Sequence, residues 1–527
     1  RGVLEDANIA KIGQNIKYDV LMLRWYGIEA KGKYWDTMLM HYVLQPHARH
    51  NLTYLSEVYL GYTPVPIQQL IGRKGKNQLT MRDVDVDKVT EYASEDADLT
   101  WQLYQQLETE LRAEPELLQL YEEIEEPLVD VLVEMEYHGF NIDVPFMEEY
   151  SLVLEQQIQT IKQEIYKAAG LDTFNLDSPR QVGEVFFGHM GIPYRWRKTK
   201  TGQYSTNEEK LSELAPDHPI IADLLRYRSL AKLKSTYVDA LPKLVSSRTG
   251  HLHTSFNQAL TTTGRLSSNN PNLQNIPIRT DMGREIRKAF IPRDEQHVLI
   301  AADYSQIELR LVAEISGDRS MLQAFQEGLD IHAATAARIY GIPVDEVTKE
   351  QRYNAKAVNF SIIYGAGATS LGKNLGIRRK EASQLIEQYF EEYAGIKAYM
   401  ERAVDEAREK GYATTLRGRR RYLRDIHSRN SMARSYDERN AINTPIQGTA
   451  ADMIKLAMSS LYQALQEKDL GIKMISQVHD ELIFDVPKDK VEDAKTLIEH
   501  HMKNAMPNLR VPILVGVDTG ENWLEAH

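Results

Sequence analysis

The chain has 527 residues, with 63 Lys plus Arg against 75 Asp plus Glu, a formal net charge of −12. Taken as an average, that charge argues against a polyanionic partner, because like charges repel. Hydrophobic residues make up 42% and charged residues 26%, which excludes a disordered chain, and the lack of cysteine excludes disulfides, thiolate metal sites and a cysteine nucleophile. At about 150 residues per domain the length implies about three to four domains. No apolar run reaches the ~18 residues of a membrane span, so neither a membrane partner nor a membrane location is expected. The chain opens Arg1-Gly2-Val3-Leu4, without an initiator Met or a signal-peptide pattern, and is expected to be a piece of a longer cytosolic protein.

Residues 1–112 read as alternating helix and strand. A helix is expected over 4–11 and a strand within 29–36. A helix over 89–111 has Tyr92, Leu99, Leu103 and Leu107 on one face. Residues 113–250 are mainly helical, with helices over 117–137, 146–169 (closed by Gly170) and about 219–244, the last carrying Arg226, Arg228, Lys232 and Lys234. Residues 251–527 mix classes. A buried strand over 297–303 ends in Asp303, helices cover 349–364 and 381–410, and 474–487 is a hairpin with His479-Asp480 at its turn. Charge is uneven along the chain. Residues 105–149 hold 14 acidic residues and one base, Arg112, so the other 482 residues sum to +1. Residues 410–434 hold eight Arg or Lys against Asp425. That run, with the four cations of 219–244, reads as a phosphate-tracking surface, and the acidic block as a solvated helix face.

The chemistry starts from carboxylates. Asp303 follows Val298-Leu-Ile-Ala-Ala302, and Asp480 lies between Ile475 and Phe484. A carboxylate ending a buried strand is costly unless it is paired or binds a cation, and two of them from separate strands suit hard cations such as Mg²⁺. The plain alternative for either is a turn aspartate bonding its own backbone. Arg352, Lys356, Phe360 and Tyr364 recur every fourth residue, along one helix face. Two cations followed by two aromatics suit phosphates and then a base to stack on. Otherwise the helix is merely amphipathic, with core aromatics. Arg439, Asn443 and Gln447 repeat the spacing with groups that meet base edges, and Gly264-Arg265 adds a cation in a polar loop.

Asp303-Tyr-Ser-Gln-Ile-Glu-Leu-Arg310 resembles motif A of family A DNA polymerases, the R-x₃-K-x₃-F-x₃-Y-G run of Arg352–Gly365 resembles motif B, and Gln477-Val-His-Asp-Glu481 resembles motif C, in the family's order. Thr263–Ser268 and Arg439–Gln447 also match its signatures, and the whole chain resembles the large fragment of its bacterial members. The resemblance implies an α/β and α+β multidomain chain. A partial RNase H-like 3′–5′ exonuclease domain (1–112) precedes a right hand with thumb (113–250), palm (251–320 and 431–527) and fingers (321–430). The activity implied is template-directed DNA synthesis from dNTPs on primer–template DNA, by a monomer serving repair and replication in the bacterial cytoplasm, at the nucleoid.

By resemblance, Asp303, Asp480 and the Tyr304 carbonyl hold two Mg²⁺ ions, for which Mn²⁺ substitutes, and Glu481 supports them. Arg352, Lys356 and His332 contact the triphosphate, Lys356 facing the leaving group. Phe360 packs on the sugar, Glu308 blocks a ribose 2′-hydroxyl, and Gln306 and Tyr364 border the nucleotide. Arg265, Arg439, Asn443, Gln447 and His479 contact DNA, reading minor-groove acceptors common to every correct pair.

Asn15-Ile-Lys-Tyr-Asp19 and Tyr92-Ala-Ser-Glu-Asp96 resemble the second and third motifs of the proofreading exonuclease, leaving Asp19, Tyr92 and Asp96 as its remnant. The first motif, Asp-x-Glu, does not occur in residues 1–14, so proofreading is not expected of this chain. A nuclease that merely grips DNA with its C-terminal part is disfavoured by that gap. A non-catalytic relic is disfavoured by the intact Asp303, Lys356 and Asp480. The resemblance implies that Phe360→Tyr raises dideoxynucleotide incorporation; an unchanged termination ladder in primer extension would refute this.

Overall fold

The computed structural model describes residues 1–278 and 280–527, which fall into two compact units. The first comprises residues 1–138, 254–269 and 300–518, and the second 139–253, 270–299 and 519–527. The first unit begins with strand β1 (Lys11–Gly13), helix α1 (Ile16–Trp25), strand β2 (Tyr34–Asp36) and helix α2 (Thr37–Leu44), with β1 parallel to β2. The helix expected over 4–11 ends at Glu5, because the Asp6 carboxylate accepts the Asn8 amide at 2.8 Å and turns the chain towards β1. The strand expected within 29–36 is confined to β2. Helix α3 (Val86–Arg112) buries Leu99, Leu103, Leu107 and Leu111. The helix expected over 117–137 is interrupted. A π-type turn at Tyr121–Glu125 and then Pro127 separate Pro115–Leu120 from helix α4 (Leu128–His138).

In the second unit, helix α5 (Val144–Ala169) buries Met147, Tyr150, Leu154, Ile158, Ile161 and Ile165 against helix α6 (Pro219–Leu233), one stripe at helical spacing. Helix α6 stops eleven residues short of the expected 244, where a π-type turn at Lys234–Val238 intervenes. Of its four cations, Arg228 donates to the Thr206 carbonyl, and Lys234 pairs with Asp239 at 2.8 Å and Glu155 at 3.5 Å. Arg226 and Lys232 stay exposed.

The remainder of the first unit holds the sheet and helices around which the site is built. Strand β3 (His297–Tyr304) leads into helices α7 (Ile307–Ser316), α8 (Ile331–Tyr340) and α9 (Lys349–Ile363). Helices α10 (Arg379–Glu392), α11 (Ala394–Lys410) and α12 (Ser431–Lys468) follow, and then strands β4 (Lys473–Val478), β5 (Glu481–Pro487) and β6 (Val515–Gly520). The sheet order is β4-β5-β3-β6. The single helix expected over 381–410 is two, broken at Tyr393, where the Asp318 carboxylate accepts the Gly395 amide at 2.9 Å. Helix α12 runs 38 residues through Pro445. Proline has no N–H to return to Ala441, and beside this gap the Tyr399 hydroxyl donates to the Ile442 carbonyl at 2.7 Å.

The acidic block is a solvated face only in part: Glu110, Glu116, Glu148 and Glu149 are exposed, but others are buried or paired. Glu125, fully buried, accepts from Lys455 at 2.8 Å and from Arg419, while Arg419 also bonds Asp452 at 2.7 Å. Glu136 pairs with Lys17, Glu134 with Arg24, Glu122 with Lys33, Glu123 with Arg417 and Glu114 with Arg420. With Lys410 on Glu406 and Arg434 on Glu438, five of the eight cations expected to track phosphate face acidic side chains of their own unit; Arg424 and Arg429 are exposed. Burial pushes the Glu125 carboxyl up, but Lys455 and Arg419 outweigh it and hold it at about 2, below the ordinary 4.5. Its stabilisation is therefore complete above pH 4.5 and lost as pH falls from there towards 2. Glu125→Gln leaves two buried cations facing one carboxylate and is expected to cost about 3–5 kcal/mol. In urea unfolding across that pH window the variant should lack the acid-dependent loss that the parent shows.

Candidate active site

The site starts from the end of β3. Asp303 is exposed there, and the next residue, Tyr304, donates its backbone N–H to the Asp480 carbonyl at 3.2 Å. Asp303, at the end of β3, and Asp480 are thereby brought close together. The apolar run before Asp303 buries the strand beneath it, and the Tyr304 hydroxyl, donating to the Met502 carbonyl at 2.8 Å, anchors its end. Asp480 sits in the two-residue turn between β4 and β5, where Val478 pairs with Glu481. His479 takes a left-handed φ of 54° in that turn, and its carbonyl accepts from the Gln477 amide. Burial pushes the Asp480 carboxyl above its ordinary range; Arg265 opposes this and Glu308 adds to it. Glu481 is buried at the start of β5.

Helix α7 starts at Gln306, itself left-handed at φ 52°, which turns the chain sharply off the sheet. In the first turn of α7, the buried Glu308 carboxylate is held from two sides. Arg265 Nη2 donates to one oxygen at 2.6 Å and the Tyr364 hydroxyl to the other at 2.7 Å. Motif residues from three distant segments thus meet at one carboxylate, and Tyr364 also lies within electrostatic reach of Asp480.

Helix α9 is defined at its start by a capping box between Thr348 and Gln351. It buries Ala355, Val358, Asn359, Ile362 and Ile363, leaving Arg352 and Lys356 exposed and Phe360 half-buried. Tyr364 caps its C-terminal end, and the Phe360 and Tyr364 rings stack at 6.3 Å with 15° between planes. The expected gradient of two cations and two aromatics along one accessible face is present. Asp330, which the sequence reading did not single out, has two tasks. One oxygen caps α8 through the His332 and Ala333 amides, and the other accepts Arg352 at 2.7 Å. The signal was there, an aspartate immediately before a helical run. His332 is buried against Phe360 and bonded to Asn359 at 3.1 Å. Burial and the nearby Arg352 and Lys356 outweigh Asp330 and drop its pKa to about 4, so the ring is neutral at pH 7. On α12, Arg439 packs under Gly365, and Asn443 and Gln447 follow at one-turn intervals, all half-buried. Asn443 Oδ1 is buried with no partner in the protein.

The donor set fits Mg²⁺. Among the described residues no cluster of three or more His, Asp or Glu side chains forms a cage. Two carboxylates on one open edge, beside a backbone carbonyl, are what a cation needs that keeps waters and takes the rest of its shell from substrate phosphates.

A separate cleft of about 470 Å³ is lined by Asp19, Asp96, Gln14, Thr100 and the half-exposed Trp101. The Tyr92 hydroxyl bonds Asp96. Asp36, unremarked in sequence, accepts the Asn15 and Ile16 amides at 2.9 and 3.0 Å and thereby sets the start of the helix that carries Asp19.

A profile of DNA polymerase family A matches residues 144–525, and a 3′–5′ exonuclease profile matches 1–112. The chain belongs to DNA polymerase family A. It is 45% identical to DNA polymerase I of Pseudomonas aeruginosa, across 100% of this chain and 57% of that protein. It is 44% identical to DNA polymerase I of Geobacillus stearothermophilus, across 97% and 57%. The chain therefore spans a little over half the length of these curated relatives. A solved polymerase domain of Pol1 from M. smegmatis, in complex with DNA primer-template and dNTP, superposes with a TM-score of 0.89 at 37% identity, covering 99% of this chain and 88% of that one. Family membership accounts for the order of the three motifs and for the exonuclease-like segment that precedes this family A polymerase fold.

Proposed function

We propose that this chain extends a primer 3′-hydroxyl on a DNA template, condensing it with a deoxynucleoside triphosphate and releasing pyrophosphate. The observation that carries the reading is the meeting of Asp303 and Asp480 at one sheet edge, beside the Arg265–Glu308–Tyr364 contact and the α9 face. The solved relative that holds primer-template and dNTP in the same fold supports it. Gap filling in repair and replication belongs to the same reading.

In such phosphoryl transfer the protein contributes position and charge rather than covalent chemistry. Asp303, Asp480 and the Tyr304 carbonyl would hold two divalent cations, which supply charge neutralisation at the triphosphate and a lowered pKa at the primer hydroxyl. Arg352, steadied by Asp330, and the exposed Lys356 point charge at the triphosphate, and Lys356 donates towards the departing pyrophosphate. His332, being neutral, offers a hydrogen bond rather than charge. Phe360 packs on the sugar, Glu308 closes the space a 2′-hydroxyl would need, and Gln306 and Tyr364 border the nascent pair. Arg265, Arg439, Asn443, Gln447 and His479 face the duplex, and the unsatisfied Asn443 oxygen awaits a donor there. Glu481 supports the Asp480 turn.

Asp303→Ala and Asp480→Ala should each abolish primer extension while leaving primer–template Kd near that of the parent; turnover within tenfold of the parent sinks the assignment. Among the described residues only two carboxylates, Asp19 and Asp96, line the exonuclease-like cleft. These 527 residues should therefore not trim single-stranded 3′ ends in Mg²⁺. Trimming that disappears in Asp96→Ala would overturn that statement.

A further inference from the structure

Tyr42, on α2 within the exonuclease-like segment, touches neither the two-carboxylate cleft nor the polymerase motifs directly. Its ring is buried, with His50 edge-on at 5.6 Å and the Arg419 guanidinium at 5.8 Å. Its hydroxyl donates to the Thr261 carbonyl at 2.7 Å. The Thr261 hydroxyl in turn donates to the Arg265 carbonyl at 2.7 Å, closing a five-residue loop. Gly264, at φ +84°, lies flat on Arg419, so that a Cβ there would come within 2.5 Å of Nε. Arg265 leaves this loop to reach Glu308.

We infer that Tyr42 is a positioning residue for nucleotide selection, holding the Thr261–Arg265 loop so that Arg265 fixes the Glu308 carboxylate. The inference rests on the proposed polymerase reading of Glu308. It gives the exonuclease-like segment a task in synthesis that is independent of trimming. The loop has three fastenings: the Tyr42 hydroxyl, its own Thr261–Arg265 bond and the contact of Gly264 with Arg419. Only the first comes from the exonuclease-like segment, and removing it leaves a half-buried carbonyl without its donor. The loop then relaxes, and with it the arginine that holds one oxygen of Glu308.

The test uses the whole chain with Tyr42→Phe, which deletes one oxygen. Thr261→Val breaks the next bond in the relay, and Tyr59→Phe is the control, losing a hydroxyl in the same segment that faces Glu110 at 3.4 Å. Two readouts are taken: dNTP KM and kcat with the ribonucleotide-to-deoxynucleotide incorporation ratio, and amide hydrogen exchange over 261–266. Tyr42→Phe and Thr261→Val should each raise dNTP KM and the ribonucleotide ratio by about fivefold, the worth of one net hydrogen bond, with kcat changed less. Exchange over 261–266 should quicken in both variants and not in Tyr59→Phe. Unchanged ratio and protection in Tyr42→Phe, or equal changes in Tyr59→Phe, overturn the proposal. A parent chain that does not extend a primer overturns the polymerase reading instead, and the exchange arm still decides whether Tyr42 holds the loop.

Discussion

Four buried charges, Glu125, Arg419, Asp452 and Lys455, are the constraint on which the first unit depends. They come from three places apart in sequence: the π-type turn before α4, the connection between α11 and α12, and α12 itself. Two cations face two carboxylates, and the remaining valences are filled by the Thr415 hydroxyl on Asp452 at 2.7 Å and the Gln258 amide on Glu125 at 3.0 Å. Such a cluster is tolerable only when complete, since any one charge left alone costs several kcal/mol. It therefore acts as an all-or-nothing joint between segments that local propensity does not bring together. Arg419 is also the floor under Gly264, so the loop that presents Arg265 to the site is seated on the same cluster.

That joint explains why the net charge of −12 misleads. The acidic block from 105 to 149 neutralises cations of its own unit, among them Lys17, Arg24, Lys33, Arg417, Arg419 and Arg420. Charges neutralised internally contribute little to the field a polyanion meets at a Debye length of about 8–10 Å. In the proposed reading, what a polyanion meets is set by the cations that remain turned outward, among them Lys356 on α9.

What sequence could read was local. The Arg352–Tyr364 spacing is a property of one helix, and the His479-Asp480 turn is flanked by two apolar runs, so both were legible before any fold was known. The break at Tyr393 was not, because its cause is Asp318, on a different element and distant in sequence. The bond from Tyr399 to the Ile442 carbonyl of α12 was not, because Tyr399 lies on α11. The buried part of the acidic block was illegible for the same reason: composition reports how many carboxylates there are and not what they face. The roles of Asp330 and Asp36 lay between these extremes, since both occupy visible helix-start positions but hold a second partner that only the fold supplies.

Glu308 shows how the local and distant contributions combine. Its place in the Asp303–Arg310 motif is legible in the sequence, yet a carboxylate on a single flexible side chain has rotamers to spare and, in the proposed role, defines no boundary by itself. Arg265 takes one oxygen and Tyr364 the other, from a loop and a helix end that share no local sequence. Two charge-assisted or hydroxyl bonds from opposite directions restrict both the rotamer and the plane of the group. Losing either leaves one oxygen without its donor. The sharpness of that proposed boundary is thus inherited from whatever fixes the two donors: for Tyr364 the C-terminal end of α9, stacked on Phe360, and for Arg265 the loop seated on Arg419. A motif names the carboxylate; the buried charge cluster and the packing behind it determine where that carboxylate stands.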